Sequence, residues 1–113
     1  MTGAVERFDS VADAWDRRYD GRDADAHRFR SRLDAAVELV GEGPGSVLDV
    51  GAGSGRLLEA LSARRWTVHG VDPAPRMVEL ARARVPEAAG RLIIASAEAL
   101  PFADRTFDVV TVV

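Results

Sequence analysis

The sequence predicts an α/β fold, a Rossmann-like open parallel sheet covered by helices. Two observations carry that expectation. Short, almost uninterrupted apolar runs at 47–50, 67–71, 91–95 and 107–113 alternate with segments in which apolar residues recur every three or four positions. Strands buried on both faces of a parallel sheet read as continuous apolar runs, and their alternation with helices calls for right-handed crossovers between parallel neighbours. The second observation is the stretch VLDVGAGSG at 47–55, where the first apolar run turns abruptly into three glycines.

The elements follow in order. Residues 5–19 (VERFDSVADAWDRRY) place Val5, Phe8, Val11, Ala12 and Trp15 at helical spacing, an amphipathic pattern. A polar break, DGRDAD at 20–25, precedes a second helical segment with Phe29, Leu33, Val37 and Val40 on one stripe. GEGPGS at 41–46 is a turn cluster leading into the first strand at 47–50. GRLLEALSARR (55–65) reads as a helix turned inward on Leu57, Leu58 and Leu61. A strand at 67–71 follows, then a helix at 73–85, whose prolines are acceptable in a first turn that has unpaired N–H groups anyway. Strands at 91–95 and 107–113 complete the pattern.

Composition removes several classes of function. The 113 residues are one domain's worth, 47% hydrophobic, with no run long enough to span a bilayer. The N-terminus MTGAVERFDS lacks a hydrophobic signal core, so a cytoplasmic location without a membrane partner is expected. The absence of cysteine excludes disulfides, thiolate zinc sites and a cysteine nucleophile. All fifteen basic residues are arginine, which excludes a P-loop lysine and Schiff-base chemistry. A net charge of -3 argues against nucleic acid as a partner. Neither metal-ligand spacing nor a nucleophile–base pair is present.

In open α/β sheets, ligands sit beyond the carboxyl ends of the strands, where the glycine turn falls. Gly51, Gly53 and Gly55 can take positive φ and let a ligand approach the main chain, while the next helix offers free N–H groups. The spacing is G-x-G-x-G, and Arg56 stands where a dinucleotide fingerprint needs a small residue, which argues against a pyrophosphate. Asp49, just ahead of the loop, would repel phosphate but suits an ammonium group. Asp72 ends the second strand, where an acid can accept hydrogen bonds from both hydroxyls of a ribose. Together these features describe a ligand with a ribose and a cationic amino group but no phosphate.

VLDVGAGSG, VHGVD and ASAEALPFADRTFDVV resemble the class I S-adenosylmethionine-dependent methyltransferases, in particular the small-molecule branch that includes ubiquinone/menaquinone and biotin-pathway methyltransferases. FDSVADAWD is similar to that branch's opening, with Trp15 where a tyrosine is usual. The resemblance runs from about Phe8 to Val113. It implies S-adenosylmethionine as cofactor and a small-molecule methyl acceptor. Asp49 and the backbone of Gly51, Ala52, Gly53 and Gly55 would hold the methionine portion. Asp72 would bind the ribose, with Pro73 and Met77 near the adenine. Ser96, Ala97 and Glu98 would edge the adenine ring, Ser96 replacing a usual aspartate. Trp15 and Tyr19 are the substrate-side candidates. No catalytic residue is assigned, because the sulfonium is already activated and the protein mainly aligns the acceptor.

The resemblance also implies an organisation. Residues 1–45 would be an N-terminal helical cap and 46–113 a cofactor-binding α/β portion. The first strand would be central, with the second and third to one side and the fourth to the other. The sequence stops inside what reads as a buried central strand, so a sheet truncated after its fourth strand is expected, with self-association through 107–113. Two other readings stand beside this one: a module that holds the cofactor without turnover, and a nicotinamide-dependent oxidoreductase, which Arg56 and Asp49 disfavour. His69, within a strand, reads as structural. Asp104 and Asp108 read as capping or solvated acids, and Arg28, Arg30, Arg32, Arg82 and Arg84 as solvated helix faces.

Overall fold

Four parallel strands form one sheet in the order β3-β2-β1-β4, with β1 (Gly45–Val50), β2 (Trp66–Asp72), β3 (Leu92–Ile94) and β4 (Val109–Val112). This is the expected order, with the first strand interior. The computed structural model describes residues 13–14, 16–17, 20–101 and 106–112. Most of the helix expected over 5–19 therefore lies outside the described residues, as do Trp15 and Tyr19, although Asp13, Ala14, Asp16 and Arg17 are helical.

The β1–β2 and β2–β3 crossovers each carry a helix, and another precedes β1. The first helix, α1 (Ala24–Val40), starts at Asp23, whose Oδ1 accepts the Ala26 N–H at 2.8 Å. That side chain satisfies one of the orphan donors of the first turn. Helix α2 (Arg56–Ala63) joins β1 to β2, and α3 (Pro75–Arg84) joins β2 toward β3. A 3-10 segment over Pro86–Arg91 occupies part of the stretch expected to open the third strand, so β3 is shorter than the apolar run suggested. Pro86 fixes the turn and removes a backbone donor, which suits a tight segment better than a strand.

Strand alternation sorts the core. Val47, Val68 and Leu92 point to one face, where they pack with Val37 of α1, Leu57, Leu58 and Leu61 of α2, and Val78 and Ala81 of α3. Helix α2 lies close because Gly70 has no side chain: a Cβ there would stand 2.7 Å from Leu58 Cδ1. On the opposite face Leu48, Val50 and Val71 cluster with Ile93, Ala95 and Phe107. The edge of His69 meets the Phe107 ring at 4.8 Å between centroids, on this second face.

The expectation of strands buried on both faces holds for the two central strands only. Val110 and Val112 of β4 are 55% and 75% exposed, because the described helices all contribute to the cluster on the other face. Asp108 anchors the start of β4: its Oδ2 accepts the Ser46 N–H at 2.8 Å, and its own N–H donates to the Ser46 carbonyl at 3.0 Å.

Candidate functional site

The loop between β1 and α2 takes the shape its glycines permit. Gly51, Gly53 and Gly55 have φ of 73°, 58° and 86°, all in the left-handed region. The Gly51 and Ala52 N–H groups both donate to the Val71 carbonyl at 2.9 Å, which pins the loop's start to the neighbouring strand. The three glycines are not equivalent. A Cβ on Gly53 would have only Met77 Sδ, at 4.0 Å, as a neighbour, so the space above it is open to a ligand. A Cβ on Gly55 would instead stand 3.0 Å from the Ala81 Cβ of α3, so this glycine serves helix packing.

Asp49 and Asp72 bracket the loop. Asp49 is 3% exposed, and its Oδ1 accepts the Thr111 hydroxyl of β4 at 2.8 Å. Burial pushes its carboxyl up to about 6; the Thr111 hydrogen bond works against that shift, and the Asp72 charge adds to it. Asp72 is also buried, but two backbone donors hold it. Its Oδ2 accepts the Gly53 N–H at 3.0 Å, and its Oδ1 accepts the Ala74 N–H at 2.9 Å. Asp72 thus ties the glycine loop to the start of α3, where Ala74 supplies no side-chain cap of its own. A carboxylate has about four acceptor positions, so two remain for a pair of hydroxyls.

The other expected residues fall around this centre unequally. Met77 is buried with Ala74 beside Gly53, and Pro73 is exposed at the end of β2. Ser96, Ala97 and Glu98 lie in a turn just after β3, adjoining Asp72 through the Ala95 N–H donated to the Asp72 carbonyl at 3.1 Å. Ser96 is half-buried, and Ala97 and Glu98 are exposed.

A cleft of about 180 Å³ opens at the Asp49 side of the loop. Its walls include Asp49, the 51–54 backbone and Arg56, and α1 contributes Phe29, Arg32 and Leu33. These α1 residues were read only as a core stripe and a solvated face. Their spacing of three and four does put them on one side of the helix, a signal that was present in the sequence. Arginines 82 and 84 are not simply solvated either. Arg82 donates to the Leu92 carbonyl at 2.7 and 3.1 Å, and Arg84 Nη2 meets Asp16 Oδ2 at 3.3 Å. Their long stems reach across the helix surface to acceptors distant in sequence.

The parallel sheet, the positive-φ glycine loop after β1 and an acid at or next to the end of each central strand thus meet at one edge of the sheet. A protein-family model described as a methyltransferase domain matches residues 47–113 of this chain. The chain belongs to this methyltransferase family. Demethylmenaquinone methyltransferase of Thermotoga maritima is 34% identical, in an alignment taking in 96% of this chain and 47% of that protein. Malonyl-acyl-carrier-protein O-methyltransferase of Halorhodospira halophila is 37% identical over 87% of this chain and 34% of its own length. Among solved structures, an S-adenosylmethionine-dependent methyltransferase of Thermotoga maritima superposes with a TM-score of 0.64 at 26% identity, covering 93% of this chain and 44% of that one. The chain therefore spans half or less of the length of these methyltransferases.

Proposed function

We propose that this chain is the cofactor-holding portion of an S-adenosylmethionine-dependent methyltransferase that acts on a small-molecule acceptor in the cytoplasm, without a nucleic-acid or membrane partner. Among the described residues no helix is long and apolar enough to cross a membrane. The observation that carries the reading is the pair of buried acids, Asp49 and Asp72. They flank an open glycine loop, and among the described residues neither is paired with a cation. Such a pair suits a ligand with a positive charge at one end and hydroxyl donors at the other, and disfavours a pyrophosphate.

The residues present fit the cofactor. Asp49 would accept its ammonium group, and Arg32 brings a cation to the same cleft for its carboxylate. The loop backbone leaves room above Gly53, and the remaining acceptor positions of Asp72 suit the ribose hydroxyls. Bound there, the cofactor supplies a methyl group already activated on a sulfonium. The chain's own part is to hold that group still and to limit water around it, the positioning that supplies most of the rate in such a transfer.

Calorimetry tests the reading. S-adenosylhomocysteine should bind with a measurable enthalpy and NADH should not. Stabilisation by NADH alone would overturn it.

We also propose that two copies associate through β4, whose outer edge pairs with no other strand among the described residues and whose Val110 and Val112 face water. Sedimentation should show a concentration-dependent dimer that Val112→Lys weakens. An unchanged distribution in that variant would exclude the strand as the contact.

A further inference from the structure

β4 consists of three valines and one threonine, and the threonine stands where the strand meets the site. The parallel register sets Thr111 beside Asp49, so the two side chains share one face of the sheet while Val110 and Val112 point to the other. The Thr111 hydroxyl oxygen lies 2.8 Å from Asp49 Oδ1 and 3.4 Å from the Leu48 carbonyl oxygen. Among the described residues the Asp49 carboxyl makes no other hydrogen bond.

A hydroxyl has one proton to donate and can also accept. Against an ionised Asp49 that proton goes to Oδ1 in a charge-assisted bond. Against a protonated Asp49 the direction reverses: the carboxyl donates to the hydroxyl, whose own proton is left with the longer contact to Leu48. The charged form therefore gains more from Thr111 than the neutral form does. Burial acts in the opposite sense and more strongly, leaving the carboxyl at about 6, and the Asp72 charge on β2 adds to that push. On the cleft side stand Arg32 of α1 and Arg56 of α2. The Arg56 charge is taken up by Asp20 and by Asp16, which also accepts the Ser54 hydroxyl and faces Arg84. Thr111 thus favours charge on Asp49 without bringing a charge of its own.

We propose that Thr111 is a positioning residue for the cofactor's ammonium group: its hydroxyl ties Oδ1 to β4 and keeps Asp49 charged, leaving Oδ2 for the cation. The proposal rests on the cofactor reading above. It makes β4 part of the site although none of its described residues lines the cleft. A valine at this position would keep nearly the same shape and the same preference for a strand, so it isolates the hydroxyl.

The test follows S-adenosylhomocysteine affinity by calorimetry between pH 5 and 8 in the wild type, Thr111→Val and Thr111→Ser. Thr111→Val should move the midpoint of the affinity curve up by about one pH unit, weakening binding about fivefold at pH 6, with the curves converging toward pH 8. Thr111→Ser keeps the hydroxyl and should restore the wild-type midpoint. The second readout needs no ligand. Followed by NMR in carbon-13-labelled protein, the Asp49 carboxyl should titrate about one pH unit higher in Thr111→Val and at the wild-type pH in Thr111→Ser. A purely structural role would lower the melting temperature of Thr111→Val while leaving both midpoints unchanged, and that result would overturn the proposal. A shifted carboxyl titration in a protein that does not bind S-adenosylhomocysteine would instead overturn the cofactor reading.

Discussion

Asp49, next to the end of β1, and Asp72, at the end of β2, point to the same face of the sheet, yet the fold treats them oppositely. Asp72 is anchored by the Gly53 and Ala74 N–H groups, which fix the shape of the loop and the start of α3. Asp49 has one neutral hydroxyl against it, from Thr111, and burial raises its carboxyl to about 6. The first acid is mainly an architectural tie that retains acceptor capacity; the second is a charge held out of water in a cleft. A buried charge without a counterion is costly in an empty protein, and it persists where a cationic ligand supplies the missing partner.

The largest effect expected from breaking this arrangement lies between the two acids. Gly53→Val puts a β-branched residue at φ 58° and projects a side chain into the open space above the loop. It should reduce S-adenosylhomocysteine affinity by 100-fold or more, about 3 kcal/mol, as read by calorimetry. The effect rests on backbone conformation and on the space left for a ligand, because Met77 Sδ at 4.0 Å is the nearest described neighbour of a Cβ at this position.

Asp72→Ala should come next. It leaves two backbone N–H groups without their acceptor, so it should cost about 1–3 kcal/mol of stability as well as weakening the ligand by a similar amount. Denaturant melts and calorimetry on the same sample would check both. Lost affinity with unchanged stability would show that the ties to Gly53 and Ala74 carry little energy.

Asp49→Asn should separate stability from binding. Because the folded protein holds the Asp49 proton more tightly than the unfolded chain, the penalty is fully present above about pH 6. It fades as the pH falls toward the ordinary carboxylate value. Removing the charge should therefore stabilise the ligand-free protein at pH 7–8, by on the order of 1–3 kcal/mol. Binding runs the other way. Affinity for a cationic ligand should rise in the wild type as the pH passes upward through about 6, and in Asp49→Asn it should be weaker and flat. A wild-type affinity that did not change between pH 5 and 7 would remove Asp49 from the ammonium site.

Much of the frame was legible in the sequence because it is written locally. Apolar runs, helical spacing and a glycine turn give the strands, the helices and the site's edge of the sheet, and the acids stand at strand ends where position alone suggests their partners. What was not legible depends on distance or on neighbours. Nothing near Asp16 in the chain indicates that Ser54, Arg56 and Arg84 gather on it. Nothing in the Arg32 stretch separates a solvated arginine from one lining a cleft, apart from its offset from Phe29 and Leu33. The exposure of β4 was expected from the strand order and not from its apolar run, which states that a strand could be covered, not that a helix is there to cover it.

β1 is the shared partner of β2 and β4, and the two pairings close very different lengths of chain. Val47 meets Val68 after one crossover, but meets Val109 only after α2, β2, α3, the 3-10 segment and β3 have been passed. A roughly threefold longer closure costs about 1 kcal/mol more in chain entropy. The arriving strand offsets little of that, since Val110 and Val112 stay in water. Assembly should thus proceed outward from β1, β2 and β3, with β4 last to join and first to fray. The Asp72 tie to the loop needs none of that last strand, whereas Asp49 obtains the Thr111 hydroxyl only when β4 arrives. The Asp72 half of the loop's surroundings should form early, while the Asp49 half waits for the slowest contact in the sheet.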